Sequence, residues 1–393
     1  MPSEFSRTLL RDRLADRLAA LERQGQRRCV VPAADCPPED APWIVLDGRR
    51  LLNFTSNDTL GLARCARWRA EVARCFARRP ASGTASRLAG GHGALAAEAE
   101  TAWAELFGFP EAIFFPSGYQ ANLACLTGLL HAGDVVLADK RIHASMGRAL
   151  PLTGARIHTF AHADPEHCSR RLAALADPAA QPVILTESLF SMDGAVTDMA
   201  ALAACKARHG AFVIVDEAHA VGTLGPDGKG LSRGVADVVV GTLGKALGFW
   251  GAFLLLPAGF RTVLENLASA VMHSTAPPPA HAACMLRLAA LWPCLAPRRQ
   301  RLAELAAHFR DCLERQGIPR RGEAHIIWTP LGEESRAARA GELLRREGIC
   351  ALAARYPSVP QGQAGLRFSV TALHEPAHGP QLAAALRRVL DRL

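Results

Sequence analysis

The chain has 393 residues, 49% of them hydrophobic and 21% charged, with a mean hydropathy of +0.08; this excludes a disordered polypeptide and a disulfide-bound miniprotein and leaves room for roughly two to three domains. The net charge of +8 is dispersed and aromatic residues make up only 6%, so the charge points to anionic ligands such as coenzyme A or an acidic carrier protein and away from nucleic acid. No stretch approaches the ~18 apolar residues of a membrane span, and no apolar leader follows Met1, so a cytoplasmic protein without a membrane span is expected.

In chain order, Leu9, Leu10, Leu14, Leu18 and Leu21 recur at helical spacing and predict a helix over 8–28. A proline-rich connector follows, then a hairpin of strands 43–46 and 51–54 turned by Asp47-Gly48. From about residue 90 short apolar runs predict strands at 112–115, 135–138, 183–186, 212–215, 238–240 and 252–256, with helical patterns such as 122–130 and 199–208 between several of them. That alternation predicts an α/β fold with a mostly parallel central sheet flanked by helices, its functional residues on loops at the carboxyl ends of the strands. Beyond Pro277-Pro278-Pro279, helices at 280–291 and 299–316 lead into strands 326–328 and 366–370 and a last helix, 380–393. The expected organisation is an N-terminal helix and connector (1–50), a large domain (51–276) and a smaller C-terminal α+β domain (277–393).

Three strand-end segments carry the chemistry. Val213 to His219 is an apolar strand running into Asp216, with an imidazole three residues on; Gly241-Thr242-Leu-Gly244-Lys245 is a glycine-rich turn holding a lysine; Phe115-Pro-Ser117-Gly118-Tyr119 is a strand that turns into a helix through small residues. Each is weak alone: a strand-end acid is most often a cap or loop charge, and the lysine turn is not a nucleotide-binding P-loop, because Val239 and Ala246 stand where that loop needs glycine and Ser/Thr. The lysine is nevertheless conspicuous. Of 45 basic residues only Lys140, Lys206, Lys229 and Lys245 are lysines, and only lysine can shed its proton and become a nucleophile. A lysine amine, a buried carboxylate and a helix N-terminus together equip a site for pyridoxal phosphate (PLP), binding its aldehyde, pyridine nitrogen and phosphate respectively. The eleven cysteines contain no Cys-x-x-Cys pair and read as reduced structural thiols, with no metal expected.

On these residues the chain resembles the α-oxoamine synthase family of fold-type I PLP enzymes. The likeness runs through Asn57-Asp58, Ser86-Arg87, Phe115 to Asn122, Ile142-His143-Ala-Ser145, Thr186 to Gly194, Asp216 to His219, Gly241 to Gly248, Ser274-Thr275 and Leu366 to His374. The resemblance implies that Lys245 carries the cofactor and moves the substrate α-proton, that Asp216 pairs with the pyridine nitrogen, and that His143 stacks on the ring. It further implies that His219 and Ser191 lie at the phenolic oxygen, and that Gly118, Tyr119 and Thr242 contact the cofactor or its phosphate. Ser274 and Thr275 would come from the second subunit of a homodimer, and Arg27, Asn57, Arg367 and Thr371 would meet substrate or product. The implied reaction is a decarboxylative condensation of L-alanine with a pimeloyl thioester of coenzyme A or acyl carrier protein. Relatives using serine, aminobutyrate or a different acyl group, and a catalytically silent regulatory homologue, remain alternatives. Thr84, Ala85, Ala96, Glu217 and Ala220 depart from the family pattern.

Overall fold

The structure is a computed structural model that describes residues 9–24, 26–28, 30–34, 36–175 and 181–393. The first helix is Leu10–Arg23, shorter than the predicted 8–28; it ends before Arg27-Arg28, and residues 8 and 25 lie outside the described set. Among the described residues its leucine stripe is left exposed.

Strands β1 (Trp43–Leu46) and β2 (Arg49–Asn53) form the predicted antiparallel hairpin. Asp47 and Gly48 both take positive φ, 50° and 73°, as a two-residue hairpin turn requires. The central sheet has seven strands: β3 (Glu111–Phe115), β4 (Val135–Asp139), β5 (Arg156–Phe160), β6 (Pro182–Glu187), β7 (Phe212–Asp216), β8 (Val238–Thr242) and β9 (Ala252–Leu256), in the order β3-β9-β8-β7-β6-β4-β5. The strands from β5 to β8 are mutually parallel, whereas β9 runs antiparallel to both of its neighbours. Several strands run a residue or two beyond the apolar runs that predicted them, because the ladder continues into polar positions such as Asp139, Glu187 and Asp216. The edge strand β5 was not predicted: its sequence Arg-Ile-His-Thr-Phe is exposed at most positions and lacks an apolar run.

Side chains alternate across the sheet. In β4, Leu137 enters one apolar core while Val136 and Ala138 enter the other, so helices must cover both faces. Burial of each large side chain contributes roughly 1.5–3 kcal/mol. Beyond the helices Pro279–Leu291 and Ala296–Arg315 lie β10 (Ile326–Gly332), β11 (Ile349–Cys350), β12 (Leu352–Ala354) and β13 (Ala364–Ser369), packed by the helices Glu334–Arg346 and His378–Leu390. Here β10-β13-β12 form a small antiparallel sheet. The last helix starts at His378 and ends at Leu390, earlier at both ends than the predicted 380–393. β11 pairs in parallel with β2, which ties the N-terminal hairpin to the C-terminal layer. Because β4, β6, β7 and β8 are parallel, Asp139, Glu187, Asp216 and Thr242 all emerge at one edge of the central sheet.

Candidate active site

At that edge lies a cavity of about 570 Å³, lined by Asp58, Ser117, Gly118, Thr242, Lys245 and Trp250 among others. Lys245 stands in the turn after β8, which Thr242 shapes by accepting from the Gly244 amide and donating to the Gly251 carbonyl, both at 3.2 Å. Lys245 Nζ hydrogen-bonds no described residue, unlike Lys206, which is paired with Asp237 at 2.7 Å. Burial lowers the Lys245 pKa to about 8, against the opposing charges of Asp216 and Glu187. Its amine is therefore partly unprotonated near neutral pH.

Ser117 caps the helix Gly118–Leu129, its hydroxyl accepting from the Gln120 amide, so the first turn opens toward the cavity beside Thr242. A Cβ at Gly118 would meet only Thr242, at 3.9 Å, and would otherwise take up the hollow. Tyr119, next along, is half exposed.

Asp216 ends β7 and is buried. One carboxylate oxygen accepts from the Ala218 amide and the other from Asn122 Nδ2, both at 2.8 Å. The same Asn122 nitrogen donates at 3.0 Å to Ser145 Oγ, which lies 2.8 Å from His143 Nδ1. The Ser145 amide also donates to that nitrogen, so Nδ1 is the acceptor and the ring proton sits on Nε2. Burial, aided by Lys245 and opposed by Asp216, lowers the His143 pKa and keeps the ring neutral. His219 is buried, and burial together with Lys245 and Arg367 pushes its pKa well below the ordinary value. Ser191 lies partly buried in the turn after β6.

Arg367 on β13 is 4% exposed and donates to Asn57 Oδ1 at 2.9 Å, while its Nε has no partner. Thr371 Oγ1 is held by His374 Nδ1 at 3.0 Å. Ser274, Thr275 and Arg27 lie apart from the Lys245 cavity in this chain, the first two in one crevice. Thr275 bridges to Ser86 and lines a crevice with Arg87 and Gln120, and Arg27 lines a separate cavity of about 580 Å³ with Arg28, Arg345 and Arg355. Asn122, Glu187 and His325 join the site without having been singled out. Glu187 stands opposite Asp216 in the β6–β7 register, and burial plus that neighbouring charge raise its pKa well above the usual range. The matched segments Phe115 to Asn122 and Thr186 to Gly194 contain the first two of these without singling them out; nothing local marks His325, whose pKa burial lowers to about 3. Glu217 faces away from the cavity: it is buried and accepts from Ser188 Oγ and the amides of Leu231 and Ser232.

Residues 49–386 match the family model for aminotransferase class I and II. An 8-amino-7-oxononanoate synthase of Stutzerimonas stutzeri is 39% identical over 385 residues, 95% of each chain. The chain belongs to the α-oxoamine synthases of that family. Among solved structures, the serine palmitoyltransferase of S. paucimobilis, with a bound PLP–myriocin adduct, superposes with a TM-score of 0.88 at 24% identity over 98% of this chain and 99% of that one. An 8-amino-7-oxononanoate synthase from Francisella tularensis gives 0.74 at 26% identity, covering 87% and 98%. This α-oxoamine synthase is thus a PLP-dependent acyltransferase of fold-type I. The residues present fit the cofactor: an amine that hydrogen-bonds no described residue for its aldehyde, a glycine-lined helix start for its phosphate, and a buried carboxylate to which no described cation is hydrogen-bonded for its pyridine nitrogen.

Proposed function

We propose that this α-oxoamine synthase condenses L-alanine with a pimeloyl thioester, on coenzyme A or acyl carrier protein, to give 8-amino-7-oxononanoate, CO2 and free thiol, a step of biotin biosynthesis. The observation that carries this reading is the 39% identity to a synthase of that name across 95% of both chains. When bound, PLP supplies an electron sink for the substrate α-carbon.

In this reading Lys245 Nζ would hold the cofactor through its aldehyde and, as a free amine, would take the substrate α-proton. Its lowered pKa suits both roles, since each begins with the free amine. Asp216, its carboxylate oriented by Asn122 and the Ala218 amide, would hold the proton on the pyridine nitrogen. His143, a neutral imidazole fixed by Ser145, would cover the ring face. His219 and Ser191 would meet the phenolic oxygen, and Gly118, Tyr119 and Thr242 would hold the phosphate end. Arg367, steadied by Asn57, would offer its Nε, which has no partner among the described residues, to a substrate carboxylate, and Thr371 would meet the substrate or product. Arg27 belongs to the acyl-donor side, where arginines surround the second cavity.

We also infer a homodimer in which Ser274 and Thr275 complete the partner's phosphate site. The exposed leucines 10, 14 and 18 of the first helix support it, because such a stripe is ordinarily covered. A solution mass equal to the 42.0 kDa chain in a fully active sample would refute it.

The decisive assay offers a panel of amino acids and acyl thioesters and scores thiol release and product mass. L-alanine with a pimeloyl thioester should give the highest kcat/KM. Faster turnover of serine with a palmitoyl thioester would replace this reading with a sphingolipid-type one.

A further inference from the structure

His162, just beyond β5, lies between two buried carboxylates: its Nδ1 is 3.1 Å from Asp139 Oδ1 and its Nε2 is 3.1 Å from Asp193 Oδ2. Asp139 ends β4, and the loop it begins carries His143 four residues later. Asp193 lies two residues beyond Ser191, in the turn after β6. The ring thus bridges two loops of the cofactor site, and the edge-to-face contact with Phe190, centroids 4.3 Å apart, fixes its plane.

A neutral imidazole has one N–H and would leave its other nitrogen's lone pair against a carboxylate oxygen. Both facing oxygens already receive other donors: Asp139 Oδ1 the Arg141 amide at 2.7 Å, and Asp193 Oδ2 the Arg141 guanidinium at 2.6 Å. The protons in both bonds therefore come from the ring, which is an imidazolium. We propose that His162 is a positioning residue of this enzyme, a charged staple that holds the His143 and Ser191 loops in register about the cofactor. The inference rests on reading those two residues as cofactor contacts.

Burial alone would lower the His162 pKa, but the hydrogen bonds that the ring donates to the two carboxylates raise it to about 8. The groups facing the ring are Asp139 from β4, Asp193 and, through it, Arg141 from the two loops. On the following helix Asp164 and His167 are turned to backbone amides. A raised pKa makes the stabilisation full below the ordinary histidine value of about 6.5 and lost as pH rises through about 8.

The test compares wild-type and His162→Gln holoenzyme from pH 5.5 to 9.5, by thermal unfolding, hydrogen exchange and visible circular dichroism of the cofactor. The difference in unfolding midpoint between the two proteins should be largest below about pH 6.5 and vanish above about pH 8.5, since the titrations of groups away from His162 cancel in the difference. At pH 7, exchange in peptides 139–146 and 188–197 of the variant should be at least ~10-fold faster, with the helix Pro279–Leu291 unchanged, and the visible band should weaken. A pH-independent difference, or loosening spread over the whole chain, would overturn the staple. Loosened loops with an unaltered visible band would overturn its positioning role while leaving the PLP assignment standing. Should His162→Gln fail to fold, Asp193→Asn serves with histidine NMR: the His162 transition should move to lower pH, and an unmoved transition refutes the proposal.

Discussion

Asp216→Asn should separate folding from catalysis. In the folded chain the carboxylate gains two charge-assisted hydrogen bonds, from Asn122 and the Ala218 amide, each contributing about 1.5–3 kcal/mol. Against these stands the cost of burying a charge, several kcal/mol even after relaxation. The amide replaces both with little net change. Asn122 Oδ1 has no partner at present, so a half-turn of that amide lets it accept from the new NH2, at the expense of the Ser145 bond, about 1 kcal/mol. Cofactor-free Asp216→Asn should therefore unfold within about 1 kcal/mol of wild type, a shift of no more than ~3 °C. Turnover should fall much further, because an amide can meet the pyridine nitrogen but cannot hold its proton. A loss of at least ~100-fold in kcat/KM corresponds to about 2.7 kcal/mol of transition-state stabilisation. The assay pairs thermal unfolding of the apoprotein with steady-state turnover after PLP loading. Near-native turnover would refute the assignment of Asp216. A stability loss above about 4 kcal/mol would instead make the carboxylate a structural group. Glu217 is not a ready substitute, since Ser188, Leu231 and Ser232 already engage both its oxygens.

With its pKa near 8, Lys245 of the apoprotein at pH 7.5 carries about 200 times more free amine than an ordinary lysine; a small amine-selective reagent should label it ahead of Lys140, Lys206 and Lys229, as read by peptide mapping, and equal labelling would sink the argument. Lys245→Ala should retain no PLP after borohydride reduction and show no turnover, whereas label found on another lysine would reassign the cofactor residue. Gly118→Val should leave the unfolding midpoint unchanged and raise the PLP dissociation constant at least ~10-fold, because its side chain occupies the phosphate end of the cavity; unaltered affinity measured by fluorescence titration would contradict that. Arg87→Met strands Glu100, which is now bound by both guanidinium nitrogens at 2.8 and 2.9 Å, and should cost about 3–5 kcal/mol in urea unfolding, with a loss under about 1 kcal/mol counting against it.

Local pattern carried much of this molecule. The apolar runs that became β4, β7, β8 and β9 are buried on both faces, so their composition alone marks them as interior strands of a parallel-rich sheet. Asp216, His219 and Lys245 were legible because polar residues directly after such runs fall at a sheet edge, and the scarcity of lysine drew attention to Lys245. The hairpin was legible because the Asp47-Gly48 turn is a local preference of the backbone.

Long-range pairing was beyond that reach. β2 meets β11 some 300 residues away, and β11 and β12 are too short to show a period of their own. Asn122 orients Asp216 from a helix 94 residues earlier, and Arg367 finds Asn57 across 310. Which polar residues converge is decided by how the helices and the C-terminal layer pack on the sheet, since a side-chain hydrogen bond acts over about 3 Å and leaves no periodic trace along the chain. Residue types and strand ends were therefore set by the sequence alone, through backbone preference and the side on which apolar groups are buried. The ordering of Asp216 and His143 by Asn122 and Ser145, the charged bridge at His162, and the separation of Arg27 and Thr275 from the Lys245 cavity exist only once the chain is packed, because each depends on distances between segments that the sequence keeps far apart.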